Sequence, residues 1–142
     1  MKVVDLNILL YAVNLDTPVH KAARKWWEAA LNDEEPVGLP WVVLLGFIRI
    51  STNRKVFENP LPPEEAIARV DSWLSVPVVH ILHESEEHWT ILSRLLNEAG
   101  TAGNLTTDAH LAALAIANGA MLVSCDHDFA RFSHLRWENP LA

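Results

Sequence analysis

The chain has a single cysteine, Cys125, among its 142 residues. No disulfide can form within it, and one lone thiol suits a reducing compartment. It also lacks any apolar run approaching the ~20 residues that a bilayer-spanning helix needs. Positive charge is scarce: 11 Lys and Arg against 18 Asp and Glu leave a formal net charge of −7. That balance disfavours a module that holds nucleic acid by basic side chains alone. It does not disfavour a nuclease that sets divalent cations between its own acids and the phosphates. An acidic cleft would also attract a basic segment of a protein partner. Met1 is followed at once by Lys2 and a strand-like run ending at Asp5, which leaves no room for the apolar stretch of a secretion signal. A cytoplasmic, non-membrane protein is the expectation.

What the chain does have is apolar residues, 50% of the total, enough for one compact domain over residues 1–142 with a core of its own. Lys2 to Asp5 reads as a short buried strand turning directly into a helix. Thr17–Pro18 has the form of a helix start, Thr17 as N-cap and Pro18 in the first position. Val19, Ala22, Ala23, Trp26 and Ala30 follow at helical spacing. Val37 to Pro40 reads as a strand, Trp41 to Ser51 as a buried helix or strand whose length favours a helix, and Asn53 to Pro63 as a polar, Pro-rich loop. Helical spacing resumes over Ala66 to Leu74. Val78 to Leu82 is a β-branched strand, and Glu86 to Ala99 a helix carrying Trp89, Leu92, Leu95 and Leu96. Gly100 and Gly103 loosen the chain before a helix from Thr106–Thr107 to Gly119. A strand over Ala120 to Ser124 leads into the turn Asp126-His127-Asp128, and Leu135 to Asn139 is a candidate edge strand. Alternating strands and helices, with no repeat or linker, predict one α/β domain: a short, mostly parallel sheet with helices on both faces.

Four acids fall at element ends rather than along wet helix faces. Asp5 ends the first strand, Asp126 and Asp128 follow a later one, and Asp108 lies in the first turn of the helix between the Gly-rich loop and that strand. Ligand sites in open parallel sheets form beyond the carboxyl ends of the strands, at the point where strand order reverses. Singly, each acid has an ordinary reading: Asp5 as a helix cap, Asp108 as a charge on a helix dipole, Asp126 and Asp128 as turn residues. Together at one end of a sheet they repel, and one would take up a proton unless a cation neutralised them. Hard oxygen ligands in this number suit Mg²⁺ or Mn²⁺ and the hydrolysis of phosphodiesters.

These residues also resemble a known family. Val3-Val4-Asp5-Leu6-Asn7-Ile8-Leu9-Leu10-Tyr11-Ala12 resembles the opening motif of PIN domains. Leu105 to Ala115, with Asp108, resembles their third-acid helix, and Leu122 to Phe129 their closing strand and acidic turn. With the Leu44 to Thr52 segment between them, these motifs run in order along nearly the whole chain. The sequence is similar in particular to VapC toxins, stand-alone PIN domains paired with VapB antitoxins. The resemblance implies a Mg²⁺- or Mn²⁺-dependent endoribonuclease that cuts RNA, acts as a homodimer and is inhibited by an antitoxin segment laid over its active site. It implies Asp5, Asp108 and Asp126 as metal ligands, Asp128 as a further ligand or supporting acid, and Asn7 and Ser124 as residues that orient them.

One position departs from the family pattern: many PIN domains carry Glu about where this chain has Gly46. Gly46 cannot ligate a metal, so either a three- or four-Asp site operates or the fold binds RNA or a partner without cutting. Its own structural reading is close helix–sheet packing, which would offset the ~1 kcal/mol that glycine costs inside a helix. Arg49, inside the same apolar segment, is expected to pair with an acid near the site or to contact phosphate, or else to snorkel to the surface. Arg54 and Lys55 are candidate RNA contacts. Trp26, Trp41, Trp73 and Trp89 sit at core-like helical positions. His110 and His127 lie beside the acids in sequence and could aid proton transfer, though bystander roles are the default. The histidines lack zinc spacing with Cys125. A phosphotransferase with an Asp nucleophile fits poorly, because its second acid would fall at Asn7.

Overall fold

A computed structural model describes residues 1–142, and its elements follow the alternation read from the sequence. In chain order they are β1 (Lys2–Val4), α1 (Leu6–Val13), α2 (His20–Leu31), β2 (Val37–Pro40), α3 (Trp41–Ser51), α4 (Pro63–Leu74), β3 (Val79–Leu82), α5 (His88–Ala99), α6 (Leu105–Ala117) and β4 (Met121–Val123). A 3₁₀ turn, His127–Arg131, and the short strand β5, Trp137–Glu138, complete the chain. The strands form one sheet in the order β3-β2-β1-β4-β5, and every pairing is parallel. The expected edge strand at the C-terminus is therefore present, and it too runs parallel.

A parallel sheet needs cover on both faces, and β1 has it. Val3 and Val4 point to opposite faces by the alternation of a strand, and both are fully buried. β2 is buried at all four positions. Gly38 in β2 is small for a reason: a Cβ there would lie 2.5 Å from Leu82 Cδ1 of the neighbouring strand. α1 packs on α2 and α3, α3 on α4, and α5 on α6. The aromatic centre of the first group is Trp73, edge-on to Trp27 at 5.7 Å and to Phe47 at 4.8 Å between ring centroids.

Several local expectations are corrected. α2 starts at His20, not at Pro18, and has no side-chain cap. Asn14 accepts the Asp16 amide through its side chain and the Thr17 amide through its carbonyl. Residues 14–17 are thereby committed to a turn, which delays the helix. The core-facing indole of α2 is Trp27, 3% exposed, rather than Trp26, because the buried stripe runs through Ala23, Trp27 and Ala30. Trp41 and Trp89 are not core residues either, at 48% and 71% exposure. On α5 Leu95 is buried as expected, Ile91 is buried beside it, and Leu92 and Leu96 pack partly buried against the core. Gly46 is buried, as expected of a packing glycine, but its close neighbour is helical: an added Cβ would meet Leu6 Cδ2 of α1 at 2.8 Å.

Candidate metal centre

The strand order reverses about β1: the chain goes from β1 outward to β2 and β3, then returns to place β4 on the other side of β1. The ends of β1 and β4 thus lie together, Val4 paired with Val123, and the segments leaving them diverge to open a crevice. Asp5 follows β1 directly. Its backbone amide still donates to Val123 O at 2.9 Å, while its Oδ1 caps α1 by accepting the Leu6 amide at 2.7 Å. One residue therefore closes a strand, starts a helix and presents a carboxylate.

Ser124, fully buried at the end of β4, joins the two halves of the crevice. Its hydroxyl donates to Asp5 Oδ2 at 2.7 Å and accepts the Asp126 amide at 3.0 Å. Asn7 Nδ2 also donates to it, at 3.1 Å, and reaches Asp5 Oδ2 more loosely at 3.4 Å. On its other side Asn7 Oδ1 accepts the Cys125 amide at 3.2 Å. Asp126 Oδ1 then caps the 3₁₀ turn by accepting the Asp128 amide at 2.9 Å. The indole N–H of Trp137 fixes the Ser124 carbonyl at 2.9 Å, so even the short β5 helps to hold the site.

Asp108 arrives from a third direction, in the first turn of α6. Carboxylate oxygens of Asp108, Asp126 and Asp128 all lie within 4.8 Å of one another. Asp5 stands outside that group of three but is electrostatically part of it. Burial raises the pKa of the Asp5 carboxyl, against the lowering by the Ser124 and Leu6 hydrogen bonds, and Asp126 raises it further. Asp108 is pushed up to about 6, first by burial and then by repulsion from Asp126, Asp5 and Asp128. The four acids expected from the sequence are thus brought together, and the charge they carry is unbalanced.

A cleft of about 160 Å³ opens at this point, lined by Asp5, Leu6, Arg49, Thr107 and Asp108 among others. Arg49 is exposed on α3 and forms none of the salt bridges of the chain. Its guanidinium belongs to the same cleft as Asp5 and Asp108. Thr107, which the sequence marks only as part of a helix start, lines the cleft beside Asp108. Arg54 and Lys55 are exposed in the turn after α3 and line no cavity. A larger hollow of about 610 Å³ lies between α2, α4 and their adjoining loops. It contains none of the four acids, so size does not mark the chemistry here.

The donor set suits a hard divalent cation. It is all oxygen, it converges from three separate elements, and the ionised forms of Asp5 and Asp108 are disfavoured by burial and by their acidic neighbours. Gly46 does not leave the site short of acids, because the three closest carboxylates come from α6 and the segment after β4.

A crevice of acids at the switch point of a five-stranded parallel sheet is the arrangement of a PIN domain. The chain belongs to that family: the PIN domain model matches residues 2–135. It is 46% identical over 142 residues to a protein of Mycobacterium tuberculosis named ribonuclease VapC37, covering 100% of this chain and 99% of that one. It is 45% identical over 141 residues to ribonuclease VapC33 of the same species, covering 99% of each. Among solved structures, VapBC2 from Rickettsia felis bound to a promoter DNA fragment shares the fold with a TM-score of 0.71 at 22% identity, over 97% of both chains. VapC20 of Mycobacterium tuberculosis, described as a toxin cleaving the sarcin–ricin loop, matches with a TM-score of 0.69 at 19% identity, over 96% of this chain and 99% of that one.

Proposed function

We propose that this chain is the ribonuclease toxin of a toxin–antitoxin pair, hydrolysing RNA phosphodiesters at the four-aspartate cleft with Mg²⁺ or Mn²⁺. The observation that carries the reading is the convergence of Asp108, Asp126 and Asp128 within 4.8 Å of one another, with Asp5 coupled to them at the switch point. It is supported by relatives at 45–46% identity, over essentially their whole length, that are named ribonucleases. RNA rather than DNA, and a VapB-type antitoxin as partner, come from those relatives and from VapBC complexes among the fold neighbours.

In this reading Asp108, Asp126 and Asp128 would hold the cation, with Asp5 as the buried fourth acid. Ser124 and Asn7 keep Asp5 and the Asp126 backbone in place. When bound, the cation would acidify the attacking water and offset charge on the leaving oxygen. The free guanidinium of Arg49 binds a non-bridging phosphate oxygen, a contact worth more than one between neutral groups because it is charge-assisted. The net charge of −7 then matters less than the local balance, since cation and Arg49 together face the substrate.

No helix is long and apolar enough to cross a membrane, and a cytoplasmic site of action is part of the proposal. So is a homodimer: Trp41 and Leu45, one helical turn apart on α3, are exposed apolar surface of the kind that marks interfaces. The test is incubation of the purified chain, free of antitoxin, with total cellular RNA in Mg²⁺, Mn²⁺ or EDTA, beside Asp108→Asn. Discrete fragments that require both metal and Asp108 are expected. Equal cleavage in EDTA, or by folded Asp108→Asn, would overturn the reading.

A further inference from the structure

Asp108 is the one acid of the site carried in the first turn of an α-helix. The turn that carries it follows a loop with two glycines at positive φ, Gly100 at 72° and Gly103 at 52°. The residue preceding α6, Asn104, makes no side-chain cap hydrogen bond, and the first two amides of the helix donate instead to loop carbonyls, Leu105 N to Ala102 O at 2.9 Å and Thr106 N to Gly103 O at 3.1 Å. Leu105 and Ala109 anchor the turn by burial.

A pair of histidines spans the gap between α5 and α6. His88, the first residue of α5, places Nε2 at 2.8 Å from Nδ1 of His110, half a turn beyond Asp108 on α6. The rings meet edge to face, 4.8 Å apart at 81°. Glu84, in the loop before α5, has a carboxylate oxygen 3.6 Å from His110 Nε2. That distance exceeds a direct hydrogen bond. Between the two rings one nitrogen donates and the other accepts, according to the tautomer. The remaining ring nitrogen of His88, Nδ1, is buried without a partner, which leaves the bond to His110 as the single polar tie of that ring. No other side-chain hydrogen bond joins α5 to α6.

We propose that His88 and His110 form a clamp between α5 and α6 that positions Asp108 for cation binding. Both are positioning residues: they act through the first turn of α6 and need not touch substrate or cation. The assignment rests on Asp108 being a ligand, and the variants separate the two claims. His110→Asn and His88→Gln keep an amide that can donate or accept near the places of Nδ1 and Nε2, whereas alanine removes the group.

The experiment is Mn²⁺ titration of the folded, metal-free chain, followed by the electron paramagnetic resonance of free Mn²⁺, with helix content checked by circular dichroism. His88→Ala and His110→Ala are expected to weaken Mn²⁺ binding on the order of tenfold, the low end of what loss of a supporting residue costs a metal site. His88→Gln and His110→Asn are expected to recover most of it. Hydrogen exchange is expected to rise at the Leu105–Asp108 amides in the alanine variants alone. Wild-type affinity in both alanine variants, or equal loss in the alanine and amide variants, would overturn the clamp while leaving the metal site intact. Unchanged binding by Asp108→Asn would overturn the site assignment itself.

Discussion

Ser124 is the residue on which the most groups converge. Its one hydroxyl donates to Asp5 and accepts from the Asp126 amide and Asn7, at a position with no exposed surface. Ser124→Ala leaves the Asp126 amide without its partner and Asp5 Oδ2 with only the looser contact from Asn7 at 3.4 Å. That loss costs roughly 1–3 kcal/mol, so a lower melting temperature and weaker Mn²⁺ binding are expected together. An unchanged melting curve would show that the hydroxyl is not holding Asp5. Asp108 behaves in the opposite sense. Its folded pKa of about 6 lies above the ordinary 3.8, so the folded chain holds this proton more tightly than the unfolded one. The metal-free protein is therefore least favoured by Asp108 above pH 6, and gains stability as pH falls from 6 toward 4. Asp108→Asn is expected to raise the melting temperature of the metal-free protein at pH 7 and to flatten that part of its pH profile, while abolishing cleavage. Thermal melts in EDTA at pH 5 and 7 check this. A lower melting temperature for the variant at pH 7 would contradict it.

Among the elements, α3 shows where sequence reading succeeds and where it stops. Its bounds, Trp41–Ser51, are legible because the length of the apolar run favours a helix over the buried strand that the same composition would allow. The partner of Gly46 is not legible, since a glycine declares close approach without naming what approaches. The neighbour is Leu6, and the two positions are complementary in volume. Gly46→Ala alone is expected to be destabilising, by roughly 1 kcal/mol at the low end of overpacking costs, even though alanine favours a helix. In the Leu6→Ala background the same change should be neutral or stabilising, a non-additivity that a double-mutant cycle in urea reads directly. Additive effects would place the close contact elsewhere. α2 and α5 teach a related lesson. Their apolar residues fit two helical stripes about a residue apart, and the choice between Trp26 and Trp27, or between Leu92 and Ile91, is made by the neighbours. Trp27 is buried because Trp73 meets it edge-on, and no local pattern contains that.

At the scale of the molecule, the reversal of strand order explains why acids 121 residues apart in sequence meet. The element alternation predicts a parallel sheet, and the position of each Asp just past a strand or at a helix start predicts that they share its carboxyl end. What stays hidden is which three come closest. Asp128 joins Asp108 and Asp126 within 4.8 Å, whereas Asp5 is committed to the Leu6 amide and Ser124, because side-chain direction depends on caps and turns that form only in the fold. The His88–His110 bond is hidden for the same reason, joining residues 22 apart through a helix crossing.

The central claim is that four aspartates at this crossing hold one divalent cation, and calorimetric titration of Mn²⁺ into the metal-free chain at pH 7 tests it most directly. One site per chain is predicted, with binding lost in Asp108→Asn and in Asp126→Asn while both remain folded. Equal binding by wild type and both variants would contradict it.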